Sequence, residues 1–475
     1  MRERVRRNIS RKMVGEVGSR LISFAFNLVL ARGLGTEGFG RYSYAYAFAG
    51  LIALSGELGL NTYLTREVAR DRDNAPSFAR AFLPLRLLMV GLVAVISVLL
   101  AWRLTDPSRL AEIALMACFA GLNTLLDCQG CLLSAFEKMG HDAGLRVTTR
   151  VVVALAGIGA VLAGAPLLAV MAAVTGANLL ALLIGEAWRR RIGFAFGLSW
   201  EPRRMARMLV DSVPVGITAF TLSVYFYMDA VVLAALGLGD SQIGQYAAAS
   251  KILEASQGLP LVVAAGLFPI AAQLGRAGDA ASLAPFFTRV NRVCLLLGAP
   301  AAAVAAVIAP AVARLLYGAG YELTGPVLSL LAVAAPVFYS NLVAAHMLLA
   351  MGRHWEAALL RGGAGALKLA LTILAGRKLG VLGAAAALLA TDLVLFAVLY
   401  VRRRAGGLSE PGEGRLIAAC LAASACSLAA WHWSSSAPLW VTAPAVAVPF
   451  LAWLGARRFF QPRPSPVAPR SAAPQ

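Results

Sequence analysis

The chain has 475 residues, of which 59% are hydrophobic and only 14% charged, and it carries a formal net charge of +19. Its mean hydropathy of +0.72 excludes a soluble domain, in which apolar runs of about 20 residues do not follow one another from end to end. What remains is a polytopic all-α membrane protein, since in lipid a spanning segment must satisfy its own backbone.

The basic N-terminus, MRERVRRNISRKM, precedes a helix containing Glu16 and Arg20 with no Ala-x-Ala site after it, and reads as a retained cytoplasmic end. That first helix is apolar except for Glu16, Arg20, Ser23 and Asn27, which fall within roughly 60° on a helical wheel. A glycine-marked turn follows, Gly33-Leu34-Gly35 and then Gly40-x-Tyr42. Beyond it, apolar runs of about 20 residues give about fourteen spans. Six lie before a longer basic loop at 188–208, which suits an anionic membrane surface. Six follow it, then two more, then a Pro/Ala/Ser-rich tail.

The basic residues report orientation. Thirty lysines and arginines fall in the segments assigned to the inside, against seven in the outside loops (Arg32, Arg41, Arg103, Arg109, Arg314, Arg377, Lys378). This places both termini inside and leaves no charge for nucleic acid to explain.

The turn of the first helix is written twice. Gly33, Gly40 and Tyr42 recur as Gly237, Gly244 and Tyr246 at a constant offset of 204. A weaker echo pairs Met139-Gly140 with Met351-Gly352. The expected organisation is two parallel repeats around a central cleft: 1–200, an N-terminal six-helix bundle with the basic linker; 201–405, a second six-helix bundle; 406–460, two additional helices; and 461–475, a disordered cytoplasmic tail.

A charge in hydrocarbon costs about 2.5–3.5 kcal/mol on insertion scales, so membrane-depth ions mark candidate sites. The first helix of the second half has its own stripe, Asp211, Thr218, Tyr225 and Asp229, and two such stripes facing each other describe a hydrated cleft. Arg20, Arg86 and Lys368 are the leading candidates for holding an anion, and arginine meets phosphate oxygens bidentately. Lys251, Arg292, Asn27 and Tyr225 join them as candidate binding residues. Lys251 has Glu254 one turn away, and Arg20 has Glu16, so internal pairing competes with ligand contact. Arg150 and Arg292 sit toward cytoplasmic helix ends, where snorkelling explains them. Asp229, Asp392, Glu57 and Asp127 are candidates for coupling movement to H+ or Na+. No phosphate-binding Gly-x-x-x-x-Gly-Lys-Ser/Thr loop occurs, which removes ATP as a direct drive. No metal or organic cofactor is called for. Six cysteines in apolar segments read as inert thiols.

The stretch Leu30-Ala-Arg-Gly-Leu-Gly-Thr-Glu-Gly-Phe-Gly-Arg-Tyr42, followed by Gly56-Glu-Leu-Gly-Leu60 and Thr65-Arg-Glu-Val-Ala69, resembles the opening of bacterial polysaccharide-biosynthesis (Wzx-type) flippases. Pro214 with Tyr227-Met-Asp229, Gly244-x-Tyr246, and Leu316-Tyr-Gly318 with Tyr321 continue it, so that the resemblance covers roughly residues 10–400. It implies the multidrug/oligosaccharidyl-lipid/polysaccharide exporter superfamily and a flippase of the inner membrane, not an enzyme. The implied cargo is an undecaprenyl-pyrophosphate-linked oligosaccharide, moved by alternating access, with a polysaccharide polymerase and a chain-length regulator as implied partners. Two relatives compete, a lipid II flippase and a multidrug/cation antiporter. A membrane-embedded glycan polymerase or ligase would need a large outside loop, and every outside loop here is short.

Overall fold

The structure, a computed structural model, describes residues 2–57, 59–71, 75–136, 138–191, 198–257, 280–351 and 353–405. The two additional helices and the tail expected beyond residue 405 lie outside the described residues, as do positions 192–197 of the basic linker.

Among the described residues every regular element is helical, as the hydropathy requires. The elements are α1 (Arg2–Ser55), α2 (Leu60–Arg70), α3 (Ala75–Leu104), α4 (Leu110–Ala135), α5 (Met139–Leu162), α6 (Leu167–Arg191), α7 (Pro202–Ala235), α8 (Asp240–Ser256), α9 (Ala280–Tyr317), α10 (Thr324–Ala350), α11 (His354–Leu379) and α12 (Val381–Ala405). Eight of these helices are long and apolar enough to cross a bilayer. The protein is a multi-pass membrane protein. Leu88, Leu92, Val95, Leu99 and Trp102 of α3 stay exposed, as side chains facing hydrocarbon do.

Helix α1 holds the first two expected spans. Fifty-four residues at 1.5 Å each would run about 80 Å, more than twice the thickness of the hydrocarbon core. The chain breaks instead at Gly35, whose φ of +67° a side chain would resist. In the second copy the positive φ falls at Gly237 (+83°), the equivalent of Gly33. The second repeat therefore ends its first helix two residues earlier, at Ala235.

Helix α1 organises the packing, touching α4 and α5 of its own half and α7 and α8 of the other. In the second half α7 packs on α11, α9 on α10 and α11 on α12. The largest core cluster joins Phe26, Leu30 and Phe48 of α1 to Met116 and Phe119 of α4 and Val170 and Met171 of α6. The end of the linker is pinned to α3, where Ser199 N–H donates to Arg80 O at 3.0 Å and Arg204 donates to Ser77 Oγ at 3.0 Å. The Ser199 hydroxyl also donates to Glu201 at 2.8 Å and holds that carboxyl below its ordinary range.

Candidate functional site

The first part of α1 runs alongside α5 in the same direction, with Gly15 against Ala143 at the end expected to face inside and Gly33 against Val161 at the end expected to face outside. Parallel packing over that length sets the polar stripe of α1 beside Arg146, Thr149 and Arg150 of α5. Together with α4, α7 and α8 these residues enclose a cavity of about 400 Å³ at the seam between the halves.

Charges in its wall balance. Arg20, Arg146, Arg150 and Lys251 face Glu16, Asp127, Asp229 and Glu254. Most of the cations are spoken for. Arg20 Nε lies 3.2 Å from Glu16, and its Nη1 donates to Glu254 O at 3.2 Å. Lys251 pairs with Glu254 at 2.8 Å and sits 5.4 Å from the centre of the Tyr46 ring. Arg146 pairs with Asp142 at 3.0 Å and Asp127 at 3.5 Å. Arg150 alone of the four has neither a hydrogen bond nor an ion pair among the described residues. The inner end of the cavity is wet, for the Glu16 and Asp127 side chains are 43% and 52% exposed.

The outer end is closed, and the repeated turn closes it. A Cβ on Gly40 would run into the backbone carbonyl of Asp240, and a Cβ on Gly244 into that of Thr36. Asp240 is the repeat equivalent of Thr36, so the two copies meet reciprocally, as surfaces related by a two-fold axis do. Ser241 Oγ bonds Thr36 Oγ1 at 2.8 Å, Arg109 pairs with Asp240 at 3.0 Å and Tyr321 OH donates to Ala31 O at 2.6 Å. Arg32 adds bonds to Leu315 O and Leu316 O at 2.5 Å. These contacts form a clasp between the halves.

Other ions of the second half lie inside its bundle. Lys368 is 1% exposed and lies inside the bundle, donating to Asp229 Oδ2 at 2.9 Å and to Tyr225 O at 2.5 Å. Tyr246 OH donates to the same Asp229 oxygen at 2.5 Å. Tyr225 OH donates to Asp392 Oδ2 at 2.6 Å, and Asn341 donates to Asp392 Oδ1 at 3.0 Å. A buried hydroxyl or carboxylate must find partners, and except for Asp229 Oδ1 these hydroxyls and carboxylates find them within the half.

Of the residues singled out in the sequence, the structure brings Arg20, Asn27, Lys251, Asp127 and Asp229 to the cavity. The expectation of two facing stripes needs correction. Tyr225 points into its own bundle, Asp211 accepts from Tyr63 OH at 3.2 Å, and only Asp229 of that stripe reaches the cavity; the Thr218 side chain lies outside the described residues. Lys368, Tyr225 and Asp392 are away from the cavity, as are Arg86 and Glu57. Arg86 is 1% exposed behind α2 and α4, with Nε and Nη2 unpartnered, and Glu57 accepts from Asn61 at 3.0 Å. The side chain of Arg292 lies outside the described residues. Arg150 is the second correction: α5 lies against α1, so Arg150 faces the cavity and does not snorkel. Its position four residues after Arg146, on one face of α5, was the available signal. Tyr46 and Tyr227 were also passed over, because nothing in the sequence separates them from their aromatic neighbours Tyr42, Tyr44 and Phe48, and Tyr225 and Phe226.

A family model described as polysaccharide biosynthesis protein matches residues 5–274. No protein among curated sequences matches this chain. Among solved structures, a lipid II flippase, MurJ, in an inward closed conformation superposes with a TM-score of 0.75 at 11% identity, over 95% of this chain and 99% of that one. A multidrug resistance MATE family transporter of the MOP superfamily in an inward-facing conformation gives a TM-score of 0.65 at 16% identity, over 82% of this chain and 95% of that one. A MOP superfamily transporter from Pyrococcus furiosus, whose structure was described under a reversed polarity of its binding pocket, gives 0.62 at 15% identity, over 84% and 96%. At these identities the likeness is one of fold.

Proposed function

The chain belongs to the polysaccharide biosynthesis protein family, and from that premise we propose that it is a flippase for a lipid-linked oligosaccharide. Its cargo is an undecaprenyl-pyrophosphate-linked repeat unit of O-antigen, capsule or exopolysaccharide. The cargo passes from the cytoplasmic to the outer leaflet of the inner membrane by alternating access, without covalent chemistry.

The observation that carries this reading is an Arg150 with no hydrogen-bond or ion-pair partner among the described residues, in a cavity whose other cations are paired and which is wet at its inner end and clasped at its outer end. A guanidinium on a cavity wall presents its donor fork to a diphosphate. The neighbouring cations can join it cheaply. Arg20–Glu16 and Lys251–Glu254 are partly exposed pairs within one helix, and such pairs are worth about 0.2–1 kcal/mol. Both can swing from their carboxylates to a diphosphate as it enters. The lipid tail stays in hydrocarbon beside the bundle, because each buried CH₂ is worth about 0.8 kcal/mol there. Outward release requires the clasp to part. An H+ or Na+ gradient is the proposed drive.

Reconstitution tests this directly. Purified protein in liposomes should render a polyprenyl-diphosphate-linked oligosaccharide, supplied in one leaflet, accessible to an impermeant glycan-oxidising reagent on the other side. Accessibility no faster than in protein-free liposomes would overturn the reading.

One rival has a specific observation in its favour. The superposition on a lipid II flippase covers 95% of the chain, and lipid II shares the diphosphate. Rescue of cells depleted of their own lipid II flippase would select it.

A further inference from the structure

Resting on the flippase reading, we propose that the cavity contains a separate sugar-ring subsite, formed by Tyr46 and Tyr227 with Ser43 and Asp229, which selects cargo by its saccharide and not by its diphosphate. The ligand class is a pyranose ring of the carried glycan.

The two copies of the repeat reveal the site by differing. Tyr46 of α1 is the repeat equivalent of Ser250 of α8, and Tyr227 of α7 that of Ser23 of α1, each at the offset of 204. All four line the cavity. At each of these symmetry-related pairs one half supplies a ring and the other a hydroxyl, so the cavity has an aromatic side and a hydroxyl side. The two rings touch across the seam, with centroids 5.9 Å apart and planes tilted by 55°. Phe119 backs Tyr46 at 6.2 Å.

Two polar atoms complete the arrangement. Ser43 and Asp229 stand in the cavity wall, 7% and 5% exposed. Ser43 Oγ and Asp229 Oδ1 have no hydrogen-bond partner. Asp229 is held from behind, since Lys368 and Tyr246 both donate to its Oδ2, and that leaves Oδ1 as the acceptor still to be satisfied. A buried carboxylate oxygen and a buried hydroxyl without partners are costly unless a ligand supplies them. Sugars supply both halves of what this site asks for. Hydroxyl edges donate to a carboxylate, and the C–H face of the ring packs on an aromatic surface.

The covalent order of the cargo agrees. The diphosphate lies between the tail and the sugars, so a diphosphate at Arg150 leaves the saccharide to fill the remaining cavity. At about 400 Å³ that cavity is of ordinary ligand size.

The test measures binding of two probes to the detergent-solubilised full chain, a polyprenyl diphosphate bearing an oligosaccharide and the same polyprenyl diphosphate bare. The wild type should bind the sugar-bearing lipid more tightly. Tyr46→Leu and Tyr227→Leu should each weaken it by about threefold to tenfold, the range expected for losing one ring contact, and leave the bare lipid unchanged. Tyr46→Phe, which keeps the ring, should stay within about twofold of wild type. Should a leucine variant fail to fold, Ser43→Ala provides the same discrimination, with a loss confined to the sugar-bearing probe. Equal effects on both probes, or on neither, would overturn the subsite. Wild-type binding of the bare lipid as tight as that of the sugar-bearing one would overturn it too, while leaving the diphosphate reading standing. Binding of neither probe would overturn both.

Discussion

Two regions of the molecule hold membrane-depth charges in opposite settings. Beside the cavity Arg20, Arg146 and Arg150 line a hydrated seam, where the pairs of Arg20 with Glu16 and of Arg146 with Asp127 are partly exposed. In the second half Lys368 and Asp229 form a pair whose side chains are 1% and 7% exposed, backed by Tyr225, Tyr246, Asn341 and Asp392. The environment decides what each pair is for. A water-exposed pair is weak and exchangeable. A buried one cannot lose a partner without stranding a charge. The exposed pairs can exchange partners with cargo, and the buried network is a fixed framework beside them.

The sharpest way to break this comparison is Lys368→Met. Stranding Asp229 should cost about 3–5 kcal/mol, read as a large fall in the thermal midpoint and in the amount of folded protein. Adding Asp229→Asn should recover most of the loss, because a neutral amide tolerates burial without a counter-charge. A single variant as stable as wild type would show that the second-half network is not structural.

Next in size is the clasp, where Gly40→Ala and Gly244→Ala place a methyl against a backbone carbonyl of the other half. Neither carbonyl can rotate away from its helix, so the outer contact should open. Impermeant reagents added outside should then reach the cavity, and they should not in Gly18→Ala, whose Cβ would meet nothing within 4 Å.

The smallest effect belongs to the seam. Glu16→Gln removes one member of a pair with side-chain exposures of 43% and 26%, and the thermal midpoint should record less than about 1 kcal/mol. A loss as large as that of Lys368→Met would erase the difference between the two regions.

Class and repeat were legible in the chain, and an orientation was readable from it, because each signal is periodic. Hydropathy repeats with the span, arginine alternates with the loops, and the glycine turn recurs at one offset. The clasp was half legible. The offset identified Gly40 and Gly244 as equivalents, but that they touch is a fact of packing. Cavity membership was legible only in part. A helical wheel groups Tyr225 with Asp229, yet α7 divides them, sending one into its bundle and leaving the other on the seam. Arg150 and Lys368 show the same limit from both directions. Each is a cation within an apolar stretch of helix, and only the neighbouring helices decide which faces cargo and which is sealed in.

Arg150 provides the most direct measurement. In reconstituted liposomes, Arg150→Gln should slow the movement of the polyprenyl-diphosphate-linked oligosaccharide by about tenfold to a hundredfold, the worth of a charge-assisted contact of about 1.5–3 kcal/mol. Arg150→Lys should fall between, since it keeps the charge but loses the fork, and the thermal midpoint should not change in either. Movement at the wild-type rate in Arg150→Gln would contradict the account at its centre.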